Sequence, residues 1–359
     1  MLVSIIRATL NKFGANDNAK KRKLAPGLRF LGGWGSTPPP SFTMTEPTTT
    51  NRLPRFCGLL AATLTPFNAD GSVDLGPIPA YADRLVKQGI VGIYINGSTG
   101  EGPSLTAAER RQLTEAWIAA INGRIPVMVH IGHTSIEESR AFAEHAHAAG
   151  ADMLSACAPF YFSVASEERL LASIQAMTAT VPERPFYYYH IPRLTGARLD
   201  MATLLRAVAA DGPASFAGIK FSDFALHDFI ECQHVCGGQF ELLWGVDEMS
   251  LAALATGAQA FIGSTYNLAA PLYQQLATAF EAGDLVRARV LQLRSVELVR
   301  VLNRHGGFHA SLKHLLAERG LPLGPARLPL PELRPSSAAA LSAEAAALPW
   351  YEEAVGPAL

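Results

Sequence analysis

The sequence predicts an α/β chain that folds as a (β/α)8 TIM barrel with a C-terminal helical extension. Eight short apolar runs alternate with longer helical segments between Cys57 and about residue 320. Runs that are apolar on both faces are typical of parallel strands covered by helices. Eight such units in roughly 250 residues fit a closed barrel. No GxGxxG turn follows the first run, and this absence argues against an open dinucleotide-binding sheet.

Each predicted element carries its own local signal. The strands are short runs of β-branched, aromatic and other apolar residues, and the helices are longer segments with one polar face. The predicted strands are GLLAATLTPF, GIVGIYINGS, IPVMVHIG, ADMLSACAPF, PFYYYHI, FAGIKFS, FELLWGVDE and AQAFIGST. The predicted helices include TAAERRQLTEAWIAAI, SIEESRAFAEHAHAAG, SEERLLASIQAMTATV and DMATLLRAVAA. A capping box formed by Thr106 and Glu109 begins the first of these helices.

The two ends of the chain differ from its middle. Residues 1–51 are basic at first and then rich in Pro, Gly and Thr, which predicts a disordered or misannotated N-terminal extension. A start at Met44 is favoured, and an organelle transit peptide is the alternative. The barrel is expected over 52–270 and the helical extension over 271–330. An Ala-rich tail, either loose or a lone helix, is expected over 331–359.

Composition excludes several classes of partner. The 30 Lys and Arg residues nearly balance the 31 Asp and Glu residues, so nothing indicates binding to nucleic acid or to an acidic membrane surface. No apolar run reaches the roughly 18 residues that a membrane-spanning helix needs. Four cysteines are too few for a disulfide scaffold and fit a reducing compartment. We therefore expect a cytoplasmic protein that acts on a small molecule.

Lys220 ends the sixth predicted strand, where a permanent charge is unexpected. In a barrel, catalytic side chains lie at the carboxyl ends of the strands. Burial there lowers the pKa of a lysine, and a neutral amine attacks ketones to form a Schiff base. The alternative is a lysine whose charged end simply reaches water, so the surrounding residues must decide.

Two segments near other strand ends have suitable chemistry. The turn Gly97–Gly100 places hydroxyl groups and successive backbone N–H groups after strand two, which is typical of an anion site. It has no P-loop lysine, so a carboxylate is favoured over a triphosphate. In FYYYHIPRLTG, strand alternation directs Tyr187 and Tyr189 to one face and Tyr188 to the other. A phenol beside an amine can transfer protons in imine chemistry.

Acidic residues and possible metal ligands also occur in the predicted barrel. Asp247 and Glu248 follow strand seven, where they can accept hydrogen bonds from sugar hydroxyls or complement a helix dipole. His145 and His147 are two apart within a helix and do not share a face. The Cys232 and Cys236 pair has no second pair nearby, so zinc is not expected.

Four motifs occur together: GSTGE at 97–101, YHIP…TG at 189–196, GIK at 218–220 and GST at 263–265. In this combination, over about residues 55–330, the chain resembles the pyruvate-dependent class I aldolases typified by dihydrodipicolinate synthase and N-acetylneuraminate lyase. The resemblance implies that Lys220 is the Schiff-base lysine and that Tyr189 relays a proton. It further implies that Ser98 and Thr99 hold the pyruvate carboxylate, that Tyr161 reaches into a neighbouring subunit's site, and that the protein is a homotetramer.

The synthase branch of this family typically carries an arginine five residues after the tyrosine of its YN.P motif. Here Leu194 occupies that position and Arg193 is one place away, so the sequence looks more like the N-acetylneuraminate lyase branch. That resemblance implies a site for the polyhydroxyl chain of the substrate, made of Ser222, Gly245, Asp247, Glu248, Gly263 and Ser264.

The function implied is cleavage of N-acetylneuraminate to N-acetylmannosamine and pyruvate, without a metal or an organic cofactor. Two alternatives remain. One is another pyruvate-dependent enzyme of the family, either an aldolase for 2-keto-3-deoxy sugar acids or a 4-hydroxy-tetrahydrodipicolinate synthase-like enzyme. The other is a non-catalytic barrel that binds a sugar acid.

Overall fold

The structure is a computed structural model that describes residues 55–358. The predicted N-terminal extension, residues 1–51, lies outside the described residues. Eight parallel strands pair in sequence order, and the eighth pairs with the first to close a barrel. The fold class predicted from the sequence is therefore confirmed. The strands are β1 (Gly58–Ala62), β2 (Gly92–Ile95), β3 (Val127–His130), β4 (Met153–Cys157), β5 (Phe186–His190), β6 (Phe216–Phe221), β7 (Glu241–Trp244) and β8 (Ala260–Gly263).

Helices follow every strand and cover the outside of the barrel. Those between the strands are α1 (Ile78–Lys87), α2 (Ala107–Ile121), α3 (Ile136–Ala149), α4 (Glu167–Thr178), α5 (Pro192–Thr195), α6 (Met201–Asp211), α7 (Leu226–His234) and α8 (Ser250–Ala255). The predicted capping box of α2 is present, with the Thr106 hydroxyl accepting from the Glu109 N–H. Side-chain oxygens of Ser135, Ser166 and Asp200 cap α3, α4 and α6 in the same way.

The helix after β8, α9 (Tyr266–Glu281), completes the barrel by packing against β1. The boundary expected at residue 270 falls inside this helix. This helix contains Pro271, which cannot donate a backbone hydrogen bond within it. In the structure the helix kinks at Ala269, whose φ and ψ are −124° and 37°, and continues through the proline.

The C-terminal extension contains α10 (Leu285–Arg304), α11 (Phe308–Glu318), α12 (Pro335–Ala346) and α13 (Tyr351–Val355). The Ala-rich segment thus forms two helices rather than a loose tail or one isolated helix. Leu341 of α12 and Val355 of α13 are completely buried in the main apolar core. An Ala side chain has little apolar surface to bury. This segment therefore packs against the core mainly through a few larger side chains.

Strand alternation divides the apolar side chains into two clusters. The inward cluster, inside the barrel, includes Tyr94, Tyr187 and Tyr189, whereas Tyr188 belongs to the outward cluster under the helices. The predicted alternation of the three consecutive tyrosines is confirmed. Within residues 55–358 no helix is long and apolar enough to cross a membrane.

Candidate active site

Lys220 lies inside the barrel near the carboxyl end of β6, with only 3% of its surface exposed. Its Nζ is 3.8 Å from the centre of the Tyr94 ring and 4.0 Å from the centre of the Tyr189 ring. Burial lowers the pKa of Lys220 to about 7, while Asp247 and Cys157 act in the opposite direction. A large fraction of this amine is therefore neutral, and nucleophilic, near neutral pH.

Tyr189 is the direct neighbour of this lysine, because β5 and β6 pair it with Lys220 in register. Burial raises the pKa of Tyr189 to about 12, and the nearby hydroxyls of Ser98 and Ser222 act in the opposite direction. The side chain is therefore a neutral phenol at rest. It can act as a general acid in this form, and it can act as a general base only after it has lost its phenolic proton.

Tyr94, which the sequence analysis missed, forms the other wall of the lysine pocket. It lies on β2, and its ring meets the Tyr189 ring edge to face at 5.7 Å. The Tyr94 and Ser155 hydroxyls are 3.3 Å apart. Its inward-facing position in the strand just before GSTGE is a signal that could have identified it. The faces of the two rings lie about 4 Å from Nζ and stabilise positive charge there.

The GSTGE turn after β2 is held in an unusual backbone conformation. Asn96 and Glu101 have positive φ angles of 60° and 56°, and the Asn96 amide donates to the Arg110 carbonyl and to the Thr114 hydroxyl. A Cβ at Gly102 would lie 2.0 Å from the Asn96 carbonyl oxygen, so only glycine fits there. The tight turn directs Thr99 towards Ser264, with their hydroxyl oxygens 2.5 Å apart.

A cavity of about 310 Å³ opens at the carboxyl ends of the strands. Its lining includes eight residues singled out from the sequence: Ser98, Thr99, Tyr189, Ser222, Gly245, Asp247, Glu248 and Ser264. Lys220 lies against the Tyr189 ring that forms part of this wall. The structure therefore brings the predicted carboxylate-binding, proton-relay and hydroxyl-binding residues together in one site.

Asp247 is a buried carboxylate that is only partly satisfied by the protein. Its Oδ2 accepts from the Thr265 N–H at 3.0 Å and from the Thr265 hydroxyl at 2.6 Å. Its Oδ1 makes no hydrogen bond of ordinary geometry among the described residues. Burial raises the pKa of this carboxyl group. A buried acceptor without a hydrogen bond costs free energy. A substrate hydroxyl that donates to Asp247 Oδ1 would remove this cost, so the position is suited to bind one.

Two glycines allow these polar groups to approach closely. A Cβ on Gly263 would lie 2.1 Å from Asp247 Oδ1, and a Cβ on Gly245 would lie 2.0 Å from Ser222 Oγ. Both glycines therefore leave room for a polar side chain beside them. The Ser222 hydroxyl, like Asp247 Oδ1, is buried without a hydrogen bond of ordinary geometry.

Three predicted site residues, Lys220, Gly263 and Tyr161, do not line this cavity. Lys220 and Gly263 lie against the lining residues Tyr189 and Asp247, whereas Tyr161 is on the surface. It is 79% exposed and packs edge to face on Phe162, with ring centres 5.1 Å apart. Leu194, the position that suggested the lyase branch, lies at the cavity mouth and is 58% exposed. Within residues 55–358, no three His, Cys, Asp or Glu side chains are grouped to hold a metal ion.

The C-terminal extension also contributes to the cavity, which the sequence analysis did not anticipate. Val299 and Asn303 of α10 and Phe308 and His309 of α11 line it. His309 Nε2 is 3.1 Å from the Ser98 carbonyl oxygen, so the imidazole N–H donates to the GSTGE turn. Helical periodicity alone cannot reveal which residues of an added helix reach a distant loop.

The family model that matches this chain, described as the dihydrodipicolinate synthetase family, covers residues 55–348. The chain belongs to this family. Among its relatives, N-acetylneuraminate lyase of Danio rerio is 40% identical over 286 residues, covering 78% of this chain and 92% of the relative. N-acetylneuraminate lyase A of Xenopus laevis is 41% identical, covering 77% of this chain and 91% of the relative. The resemblance found in the sequence is therefore confirmed.

Solved structures agree with the sequence relatives. N-acetylneuraminate lyase from Proteus mirabilis superposes with a TM-score of 0.78 at 33% identity, covering 81% of this chain and 98% of that one. The lyase from Aliivibrio salmonicida, also described as sialic acid aldolase, superposes with a TM-score of 0.79 at 32% identity, covering 81% of this chain and 96% of that one. Both are named as lyases that act on N-acetylneuraminate, and the second also as an aldolase.

Proposed function

We propose that the protein is a Schiff-base (class I) aldolase that cleaves N-acetylneuraminate to N-acetylmannosamine and pyruvate. The observation that carries this proposal is a buried amine of lowered pKa, paired in register with a phenol, beside a cavity lined with hydroxyls and carboxylates. The relatives named N-acetylneuraminate lyase, which match most of the chain, support the choice of substrate.

The first stage is imine formation. The neutral Lys220 amine attacks the C2 ketone of the open-chain sugar acid and forms a carbinolamine. Tyr189 donates its phenolic proton to the departing hydroxyl group, which leaves as water, and a protonated imine and a phenolate result. The Tyr94 and Tyr189 rings, each about 4 Å from Nζ, stabilise the positive charge of the imine.

The second stage is carbon–carbon cleavage. The Tyr189 phenolate takes the C4 hydroxyl proton, the C3–C4 bond breaks, and its electron pair enters the imine to give an enamine. N-acetylmannosamine leaves as the aldehyde. The Tyr189 phenol then passes this proton to C3 of the enamine. Water adds to the protonated imine that results and releases pyruvate and the neutral Lys220 amine, and the proton set free returns to the Tyr189 phenolate. The imine supplies the electron sink, so we propose that neither a metal nor an organic cofactor takes part.

The remaining site residues are assigned by their positions around the cavity. Ser98 and Thr99 bind the substrate carboxylate, because their turn supplies hydroxyl groups next to the lysine pocket. The polyhydroxyl chain meets Ser222, Gly245, Asp247, Glu248, Gly263 and Ser264. A site whose buried polar atoms await hydroxyl groups discriminates against analogues that lack them.

The oligomeric state and the cellular location are also proposed. We propose a homotetramer in which Tyr161 contacts the Ser98–Thr99 region of a neighbouring subunit. The exposed Tyr161–Phe162 pair supports this, because adjacent exposed aromatic rings are typical of an interface. A cytoplasmic location is proposed because Cys57, Cys157 and the other two cysteines are free thiols.

A pyruvate-release assay tests the function. N-acetylneuraminate is compared with 2-keto-3-deoxy sugar acids, and pyruvate with aspartate semialdehyde is tested for condensation. Preference for N-acetylneuraminate supports the proposal, and preference for another pair identifies a different enzyme of the family. In parallel, borohydride with pyruvate must attach a three-carbon adduct to Lys220. A protein that binds the sugar acid but forms no adduct and releases no pyruvate is the non-catalytic alternative.

A further inference from the structure

The GSTGE turn, which presents Ser98 and Thr99, is hydrogen-bonded to side chains of helix α11, which lies outside the barrel. His309 and Lys313 lie four residues apart on α11 (Phe308–Glu318) and therefore share one face of it. His309 Nε2 donates to the Ser98 carbonyl oxygen at 3.1 Å. Lys313 Nζ donates to Glu101 Oε1 at 2.6 Å. Both ends of the turn are thus fixed by adjacent side chains of the same helix.

The Lys313–Glu101 ion pair is almost completely removed from water. The two side chains are 1% and 0% exposed. The Arg327 N–H donates to the second Glu101 oxygen at 2.8 Å, and Lys313 Nζ also donates to the Pro325 carbonyl oxygen at 2.8 Å. Both Glu101 oxygens therefore have partners, and these partners come entirely from the C-terminal extension.

Burying such a pair is expensive, and replacing it with apolar residues often leaves stability unchanged or higher. Stability alone is therefore a weak reason for this pair. Glu101 itself has a left-handed backbone conformation, with φ of 56°, which costs free energy for a non-glycine residue. A strained, multiply held turn beside a binding site is typical of a preorganised ligand site.

We propose that Lys313 and His309 are positioning residues for the substrate carboxylate. They act through Glu101 and the Ser98 carbonyl to hold the Ser98 and Thr99 hydroxyls in the orientation that receives the anion. This inference rests on the proposed role of Ser98 and Thr99 in carboxylate binding. It makes the C-terminal extension, which lies outside the barrel, part of the machinery that selects a 2-oxo acid over a simple ketone.

The test separates carboxylate recognition from amine reactivity. Pyruvate and acetone are both methyl ketones, and only pyruvate carries a carboxylate. Each condenses with the Lys220 amine with loss of water, and borohydride then delivers hydride to the imine carbon to fix the adduct. The rate of adduct formation is measured by mass spectrometry for both ketones, and the ratio of the two rates reports the carboxylate site.

In Lys313→Met we expect the pyruvate rate to fall about 10- to 100-fold, the loss that a small misplacement of a positioning group produces. The acetone rate stays within about twofold of the parent. The KM for N-acetylneuraminate rises more than kcat falls. The matched control is Arg319→Met, which removes the ion pair of Arg319 with Glu352 next to the end of α11 without touching the turn. Its pyruvate-to-acetone ratio stays at the parent value.

Lys313→Met leaves the buried Glu101 carboxylate unpaired and could fail to fold, so two further variants test the same inference. Lys313→Met combined with Glu101→Gln leaves no unpaired buried charge, and His309→Leu removes the hydrogen bond to Ser98 while the Lys313–Glu101 pair stays in place. Both are expected to lower the pyruvate-to-acetone ratio, whereas His309→Gln, which keeps an N–H donor, restores part of it. The inference is overturned if the folded variants keep the parent's pyruvate-to-acetone ratio, or if the rates of adduct formation fall equally for both ketones. A parent protein that forms no pyruvate adduct overturns the proposed function as well.

Discussion

Tyr189 and Lys220 face each other across neighbouring strands of the barrel. They are register partners on β5 and β6, and the lysine Nζ lies 4.0 Å from the centre of the tyrosine ring. Both side chains point inward, because strand alternation places them on the same face. The residues proposed as nucleophile and proton donor are therefore brought together by one backbone pairing, and the loops need only supply the substrate's other contacts.

The pH dependence of turnover should report the Lys220 amine. With a pKa of about 7, the neutral fraction is roughly one-tenth at pH 6 and nine-tenths at pH 8. We expect kcat/KM for pyruvate release to rise about tenfold between these values, since the reactive form is the deprotonated one. An acid limb near pH 10 would contradict the assigned environment. The rate of adduct formation with pyruvate provides an independent measurement of the same pKa.

Lys220→Met should abolish adduct formation and pyruvate release and should also stabilise the fold. The pKa of this lysine is lowered on folding from 10.5 to about 7, so the unfolded chain binds more protons between those values. That difference costs the parent about 4 kcal/mol near neutral pH. The advantage of the variant in urea unfolding should shrink as pH rises towards 10.5. A variant less stable than the parent at pH 7.5 contradicts this.

Tyr189→Phe should separate imine formation from bond cleavage. We expect kcat for N-acetylneuraminate cleavage to fall about 100- to 10,000-fold, because the proton relay is lost, while slower pyruvate adducts still form on Lys220. Tyr188→Phe is the matched control. Tyr188 is equally buried but lies on the outward face of the same strand, so its kcat should stay within about threefold of the parent. Equal losses in the two variants would refute the assignment of Tyr189.

Asp247→Asn should impair the sugar-binding half of the site more than the pyruvate half. The kcat/KM for cleavage should fall about 10- to 100-fold, the loss expected when a hydrogen bond to a charged group is removed. Pyruvate adduct formation should persist. Because Asp247 raises the pKa of Lys220, the acid limb of the pH profile should move to lower pH. Asp223→Asn is the control, since Asp223 lines the same cavity but does not act on the Lys220 pKa.

The Ala-rich C-terminal segment should contribute to global stability. Leu341 of α12 is completely buried, and Leu341→Ala is expected to lower the free energy of unfolding by about 2–5 kcal/mol. Leu293 on α10 is 55% exposed, and Leu293→Ala should change it by less than about 1 kcal/mol. Both values come from chemical denaturation. Similar small effects for the two variants would mean that this segment is only loosely attached.

Local patterns were sufficient for the fold and for the inward-facing positions of Lys220 and Tyr189, whereas the roles proposed for these two residues came from the family resemblance. The alternation of apolar strands with helices predicted the barrel, and the period of two placed Tyr189 opposite Tyr188. The C-terminal boundaries were less predictable. Pro271 interrupts the helical pattern, yet the kink at Ala269 absorbs it and α9 continues. The burial of Leu341 depends on a distant surface that a local pattern does not contain.

The sequence by itself determined which residues reach the carboxyl ends of the strands, since periodicity is a property of neighbouring residues. Only the tertiary structure decided that burial lowers the pKa of the Lys220 amine to about 7, that Tyr94 encloses it, and that α11 holds the GSTGE turn. The physical reason is that burial and electrostatic interaction are sums over groups far apart in the chain. Glu101 and Lys313 are separated by more than 200 positions, and no local signal connects them.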